Sequence, residues 1–363
     1  MWPEDLILES MSSLQLSLAA IGALTVGAVV AYNYWISRKN APRQAESHRE
    51  PLSQAIEPVL DADYAALGLP SDSREPVVQD TFSHLSQPDR KTQLDALIDV
   101  LAAIEVDQSV SGDAALAALP TTRRVGTKLF SVEGFVQDSG QWEALAPGRR
   151  YSAFQAGVQL ANRVGALNNI EFSEFVVKTQ AFADAVGGSV SFSEMLEEVA
   201  RARELDQFAS VHDAQLSFTL CARSAAWSPG FIHQHAARLG FVLGAIPGRM
   251  VLPAAVQGLP AVLSLTFDTQ AAMADDPDLW AIRSFALTLD VPQTARDEQP
   301  YIRLREAAVA LAAQMDGMVT DGEGQVLSES TLDQIGVDLQ QLYDALDARE
   351  LSAGTPQARR LFS

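Results

Sequence analysis

The chain has 363 residues, of which 47% are apolar and 20% are charged, so it can bury an ordinary core and is not disordered as a whole. Its 46 acidic residues outnumber its 26 Lys and Arg residues, and the net charge of −20 argues against general nucleic-acid binding, because phosphate neutralisation needs a basic stripe. Cys221 is the single cysteine, so no internal disulfide can form. The length predicts about two to three domains.

The N-terminal region, residues 1–39, has the features of a membrane anchor. Residues 10–37 contain no charged side chain over 28 positions, and their apolar centre runs from Leu16 to Tyr32. A helix that spans a bilayer needs about 20 such residues. Three acidic residues precede the segment, and three basic residues follow it within six positions. Since Lys and Arg mark the cytoplasmic side, we expect the short N-terminus outside the cytoplasm and the C-terminal bulk inside it.

A cleaved signal peptide is the alternative interpretation of this segment. A signal peptide has a basic leader and a small-residue cleavage site, whereas this leader is acidic and the apolar run ends in aromatic residues followed by Arg38 and Lys39. The anchor is therefore the preferred prediction. Translation from Met11 in place of Met1 would keep the anchor and remove only the acidic leader.

Small residues recur at every fourth position of the apolar segment and would form one stripe on a helix. They are Ala19, Ala23, Gly27 and Ala31. Such a stripe lets two membrane helices approach closely, which predicts weak self-association. The alternative is that Ala and Gly are simply common in membrane helices.

Residues 40–90 have the composition of an acidic, proline-bearing linker. They contain six prolines, and nine acidic residues against four basic ones. Proline interrupts helices and like charges repel, so we expect an extended tether.

From about residue 91 the hydrophobic pattern becomes regular and predicts two α+β domains, residues 91–210 and 211–349, followed by a tail over 350–363. In the first domain, apolar alternation predicts strands, and a helical spacing predicts a helix that stops at Gly187. The predicted elements of the first domain are strands 128–137 and 151–160, a helix 170–186, a short strand 189–192 and a helix capped by Ser193. Those of the second are strands 215–222, 261–267 and 285–291, a helix that starts at Ser228 and Pro229, and a helix 299–315.

One ungapped register connects the two domains. Residues 181–190 (AFADAVGGSV) align with residues 310–319 (ALAAQMDGMV) at an offset of 129, with four identities. Together with the repeated order of elements, the register predicts two related domains, each an antiparallel sheet with helices on one face. The alternative is chance similarity between the ends of two amphipathic helices.

Catalytic and metal-binding patterns are weak throughout the sequence. His233 and His235 are two positions apart on a predicted helix and point in different directions, so they cannot hold one metal together. Cys221 lies at the end of a predicted strand, and a structural thiol is the preferred interpretation over a nucleophile. The carboxylates of Asp275, Asp276 and Asp278 lack the spacing of an EF-hand and are interpreted as turn residues. No phosphate-loop, dinucleotide or zinc-protease motif occurs, so we expect neither an enzyme nor a cofactor.

Five stretches of the second domain resemble, in the same order, the C-terminal domain of the ZipA family of bacterial division proteins. They are DAQLSFTLCA, ARLGFVLGA, PAVLSLTF, FALTLDVP and AAQMDGMV, and the resemblance extends across roughly residues 213–348. The first domain has AVGGSV at the corresponding junction between helix and strand. One membrane helix, a proline-bearing linker and a C-terminal α+β domain are also the family's architecture. The resemblance implies a cell inner-membrane protein that binds the C-terminal peptide of FtsZ on the open face of a sheet and tethers the division ring.

The resemblance also implies positions for the peptide site. They are Gln215, Ser217, Thr219, Ile246, Met250, Thr266, Asp268 and Thr288. The family's surface is apolar, whereas here only Ile246 and the nearby Met250 keep that character. A weaker or shifted site is therefore expected, and the first domain is an alternative location for it. The alternative function is a membrane-tethered scaffold that uses the same fold for another protein partner.

Overall fold

A computed structural model of the chain describes residues 42–44, 94–274, 276 and 279–363. These residues form two compact units. The first unit contains residues 94–213 and 355–363, and the second contains residues 42–44 and the described part of 214–354. The predicted membrane helix, its small-residue stripe and most of the predicted linker lie outside the described residues.

The first unit is an antiparallel sheet covered by helices. Its elements are β1 (Asp99–Ser111), α1 (Gly112–Ala118), β2 (Arg124–Val125), β3 (Lys128–Val136), β4 (Gln141–Ala144), β5 (Arg150–Gln159), β6 (Ala161–Asn162), β7 (Gly165–Ala166), α2 (Asn169–Val186), β8 (Gly188–Ser191) and α3 (Met195–His212). The strand order is β2-β3-β5-β1-β8, with β4 beside β3, while β6 and β7 form a separate hairpin.

Helix α2 lies where the sequence places a helix, to within one residue at its start. The side chain of Asn168 accepts from the backbone amides of Ile170 and Glu171, and Glu171 bonds back to Asn168, which caps the first turn. The helix ends at Gly187 in the left-handed conformation, at φ 68°. Its apolar face packs on the sheet through edge-to-face ring contacts, such as Phe182 against Phe154 at 5.4 Å. By contrast, α3 begins at Met195 with no side-chain cap, so Ser193 is not its capping residue.

The second unit is also an antiparallel sheet with helices. Its elements are β9 (Gln215–Ala222), α4 (Pro229–Arg238), β10 (Val242–Leu243), β11 (Arg249–Leu252), β12 (Leu263–Thr266), α5 (Thr269–Ala272), β13 (Ser284–Asp290), α6 (Pro300–Met315), β14 (Gly317–Thr320) and α7 (Glu329–Ala348). The strand order is β10-β11-β12-β13-β9-β14. The predicted α+β class with antiparallel sheets is therefore confirmed.

Two local signals explain how this unit begins and ends its helices. The Ser228 hydroxyl accepts from the amide of Phe231, and Pro229 occupies the first turn of α4. Helix α6 ends at Asp316, which takes the left-handed conformation at φ 55°. Behind the sheet, Leu304 and Leu311 of α6 are fully buried.

The C-terminal residues are not the free tail expected for 350–363. Leu351 is fully buried in the second unit, and helix α8 (Pro356–Leu361) belongs to the first. Leu361 and Phe362 are buried, and the guanidinium of Arg360 forms a two-bond ion pair with Asp99 of β1. Burial of this apolar end and its ion pair explains why the segment is ordered despite its short length.

Residues 42–44 lie within the predicted linker, yet the structure packs them on the second unit. Arg43 forms a parallel bridge with Trp227. These three residues of the predicted linker therefore belong to the second unit.

Candidate peptide-binding faces

The open face of the second sheet, on the side away from α6, is built by strand alternation. Phe218 and Leu220 of β9 and Leu287 of β13 point toward the helices and are buried. The alternate side chains of β9 and β13 point outward, in agreement with the alternation expected from the sequence. Five of the implied peptide positions lie in outward register on this sheet: Gln215, Ser217, Thr219, Thr266 and Thr288.

This open face is lined by hydroxyl groups. Strand register places Ser217, Thr288 and Ser264 in one row across β9, β13 and β12. The hydroxyls of Ser264 and Thr288 are 2.6 Å apart and bond to each other. A hollow of about 480 Å³ lies here, with Gln215 and Arg249 also in its lining. The row of hydroxyls can therefore exchange hydrogen bonds with a ligand, beside apolar lining residues such as Val262 and Leu263.

The three remaining implied positions do not join this row. Ile246 lies in the turn before β11 and is 54% exposed, while Asp268 caps α5 by accepting from the amide of Gln270. Met250 is only 2% exposed, because it pairs with the inward-facing Leu265 of β12. Met250 is therefore a core residue, and its expected place on the open face is wrong. Ile246 remains the one exposed apolar side chain of the eight.

The open face of the first sheet, on the side away from α2, is more apolar. Phe135 of β3 is paired with Trp142 of β4 and with Ala153 of β5. The rings of Phe135 and Trp142 are 5.3 Å apart and both are partly buried. Phe130 and Phe154 occupy the opposite face and contact α2, so the alternation sends Phe135 outward. Two aromatic side chains thus lie together on the face of this sheet opposite α2.

The other end of the same face is covered by the chain where the first unit begins. The amide of Leu94 donates to Oε1 of Glu133, and Nε2 of Gln155 donates to Oε2 of the same carboxylate. A Cβ atom at Gly157 would lie 2.5 Å from Cδ2 of Leu94, so the leucine side chain rests directly on the glycine. The absence of a side chain at Gly157 makes this close approach possible. The Phe135 and Trp142 end is left accessible.

A third concave region, which the sequence analysis missed, lies between α6 and α7. This groove has a volume of about 1140 Å³. Ile302 and Val309 on its α6 wall are each about half exposed, and Tyr343 on its α7 wall is buried. Burial raises the pKa of Tyr343 to about 12. The seven-residue spacing of Ile302 and Val309, a second apolar stripe on α6, is the sequence signal that could have identified this groove.

The residues that could have suggested chemistry have structural roles. The ring of His233 packs 5.5 Å from that of Phe267, and burial lowers its pKa. Nδ1 of His235 is 3.2 Å from Oε1 of Gln314. Sγ of Cys221 is 3.7 Å from the hydroxyl of Thr320. Within the described part of the chain, no group of His, Cys, Asp and Glu could hold a metal ion. Asp275 and Asp278 lie outside that part.

Comparisons with known proteins add no family assignment. Among the described residues, no helix combines the length and the apolar character that crossing a membrane requires. No protein-family model matches the chain, and no curated protein is significantly similar to it. The functional argument therefore depends on the residues and geometry of this chain.

Proposed function

We propose that the chain is a membrane-anchored cell-division adaptor of the ZipA type, which binds the C-terminal peptide of FtsZ and tethers the FtsZ polymer to the inner membrane. The observation that carries the proposal is the partly buried aromatic pair Phe135 and Trp142 on the face of the first sheet opposite α2. Peptide sites depend on a few large apolar anchors, and aromatic residues are prominent among them.

We further propose that the two units arose by duplication. The order β3-β5-β1-β8 in the first sheet corresponds to β12-β13-β9-β14 in the second. In each unit a helix follows the first of these strands in the chain, and the long helix directly precedes the last strand. The matched register agrees with these orders, since Gly187 and Asp316 both end a helix in the left-handed conformation.

The two open faces differ in ways that favour the first unit as the peptide site. The second face is lined by hydroxyls that bond to one another, and Met250 is removed from it into the core. The first face keeps two aromatic rings and an adjacent alanine at its accessible end. Because apolar anchors carry most of the energy in such sites, we place the FtsZ peptide beside Phe135 and Trp142.

A membrane-tethered scaffold with a different protein partner is the second candidate function. The row of hydroxyls Ser217, Thr288 and Ser264 favours it, because these groups can exchange hydrogen bonds with a polar ligand. Both candidates share the anchor and the duplicated fold.

Vesicle flotation tests the proposed function. Full-length chain in vesicles should carry FtsZ polymers to the top of a density gradient, whereas FtsZ without its C-terminal peptide should remain below. A version that lacks residues 1–39 should not float, which tests the anchor separately, and a C-terminal reporter fusion should be active only in the cytoplasm. If the chain floats and intact FtsZ does not float with it, the adaptor proposal fails and the scaffold replaces it.

A further inference from the structure

The short segment 42–44 is held by the backbone of the second unit. The amide of Arg43 donates to the carbonyl of Ala226 at 2.7 Å, and the amide of Ser228 donates to the carbonyl of Arg43 at 2.9 Å. Trp227, which lies between Ala226 and Ser228, exchanges two backbone hydrogen bonds of 2.8 Å with Ile282 on the side away from Arg43. Arg43 is therefore the third member of a small ladder, in the way an extended peptide adds to a sheet edge.

The guanidinium of Arg43 reaches the C-terminal end of α6. One nitrogen donates to the carbonyl of Met315 at 3.1 Å, and another donates to Oδ2 of Asp316 at 2.9 Å. The carbonyls at the end of a helix carry partial negative charge, which favours a cation there. The Ser224 hydroxyl donates to the same carboxylate oxygen at 2.6 Å. This hydroxyl and the guanidinium of Arg43 lower the pKa of Asp316.

The groups that receive Arg43 are fixed by the core of the unit. The indole Nε1 of Trp227 donates to the same Met315 carbonyl at 2.8 Å, and the Trp227 side chain is fully buried against Phe285. The backbone amide of Arg223 donates to the carbonyl of Asp316, and its Nε donates to that of Gly317. The acceptors for the arginine are thus held in place from several directions.

We propose that this corner of the second unit is a binding site for an extended, arginine-bearing peptide segment, and that the chain fills it with its own residues Pro42–Gln44. The ligand is recognised by two backbone hydrogen bonds and by a planar guanidinium that reaches a helix-end carbonyl and a carboxylate together. Lysine, a point charge on a flexible stem, reproduces this geometry poorly. The segment acts as a latch between the N-terminal part of the chain and the second unit.

One consequence of the latch rests on the proposed membrane anchor. Five residues, 38–42, separate the uncharged segment from Arg43. Even fully extended, the six Cα–Cα steps from Ser37 to Arg43 span at most about 22 Å. The second unit is then held at the cytoplasmic surface of the membrane. Only the linker residues that follow the latch can act as a tether.

Trypsin cleavage after Arg43 tests the latch in the full-length chain. Asp316→Asn keeps a residue that tolerates the left-handed conformation but removes the charge that holds the guanidinium. Water screens an exposed ion pair, so we expect cleavage after Arg43 to become about threefold faster. Asp344→Asn is the matched control, because it removes an exposed carboxylate that pairs with Arg296 and not with Arg43. The control should leave the cleavage rate unchanged.

Hydrogen exchange provides a second readout that needs no protease. The amide of Arg43 should exchange slowly in the wild-type chain and faster in the Asp316→Asn chain, with exchange in β13 unchanged. Wild-type exchange of this amide at the rate of an unprotected peptide would overturn the latch. The latch would also be overturned if Asp316→Asn and Asp344→Asn accelerated trypsin cleavage equally, or if neither variant accelerated it. Vesicle flotation reports on the anchor and on FtsZ binding, so a chain that fails either part of that test can still show a protected Arg43.

Discussion

Asp99 and Arg360 join the first strand of the first unit to the C-terminal helix by two hydrogen bonds of 2.8 and 2.5 Å between guanidinium and carboxylate. The carboxylate is fully buried, and burial raises its pKa even beside the arginine. The amide of Asp95 also donates to this carboxylate. The pair therefore ties residues 355–363 into the first unit at the start of β1.

Arg360→Met should destabilise the first unit strongly, because it leaves the buried charge of Asp99 without its partner. Loss of one partner from a buried ion pair typically costs about 3 to 5 kcal/mol. The double variant Asp99→Asn with Arg360→Met should cost clearly less, since no buried charge remains. Hydrogen exchange of the β1 amides at increasing urea concentrations measures the stability of the first unit in the single and in the double variant. A single variant that is no less stable than the double variant would contradict this role for the pair.

Gly187→Ala should destabilise the chain through backbone conformation alone. Gly187 has φ 68°, and a Cβ atom there would meet nothing within 4 Å. The left-handed conformation costs a residue with a Cβ about 1 to 2 kcal/mol. Gly187→Asn should cost less, since Asn tolerates this conformation. Urea denaturation of the wild type and both variants checks the order, and a Gly187→Ala chain as stable as the wild type would show that the cap position is not strained.

Two tyrosines of the groove between α6 and α7 provide a matched pair of variants. The Tyr343 hydroxyl is buried and has no hydrogen-bond partner among the described residues, whereas the Tyr301 hydroxyl donates to the carbonyl of Leu332. Tyr343→Phe should therefore leave stability unchanged or raise it, because it removes an unsatisfied buried group. Tyr301→Phe should lower the free energy of unfolding by about 1 kcal/mol, because it removes a satisfied hydrogen bond. Thermal denaturation compares them, and a larger loss for Tyr343→Phe would mean that its hydroxyl has a partner.

The latch should respond to acid in a defined direction. The pKa of Asp316 lies below its usual value of 3.8, so the stabilisation that its charge provides is complete above that value and is lost as the pH falls through the folded pKa. Arg43→Met removes one of the groups that lower this pKa and should move it upward. Carbon-13 titration of the Asp316 carboxyl group in both chains measures the shift. An unchanged pKa would show that Arg43 does not contact Asp316 in solution.

Local patterns predict much of the fold. Alternation along β9 and β13 correctly separates buried Phe218 from outward Ser217, and the Ser228 and Pro229 start signal identifies the first turn of α4. These features depend on neighbours within a few positions, which a single sequence shows directly. The short strand β11 is harder, because four residues do not distinguish one alternation phase from the other. The sequence predicts no strand there, so the family resemblance alone places Met250 on the open face, and that placement is wrong.

Long-range partners could not be predicted in this way. Arg360 pairs with a residue 261 positions earlier, and Arg43 reaches Asp316 across 273 positions. Nothing in the composition of residues 40–90 or 350–363 distinguishes these two arginines from solvated ones. The contrast between the two open faces could not be predicted either, because Phe135 and Trp142 become neighbours only through the pairing of β3 with β4.

The most direct test of the account is a titration of labelled FtsZ C-terminal peptide against the full-length chain and three variants. Trp142→Ala should weaken binding about tenfold or more, since loss of a central aromatic anchor typically costs about 2 kcal/mol or more. Ile246→Asp and Thr288→Ala, both in the second unit, should bind like the wild type, with circular dichroism confirming that each variant folds. Wild-type affinity in Trp142→Ala together with weakened binding in Ile246→Asp would contradict the assignment of the peptide to the first unit.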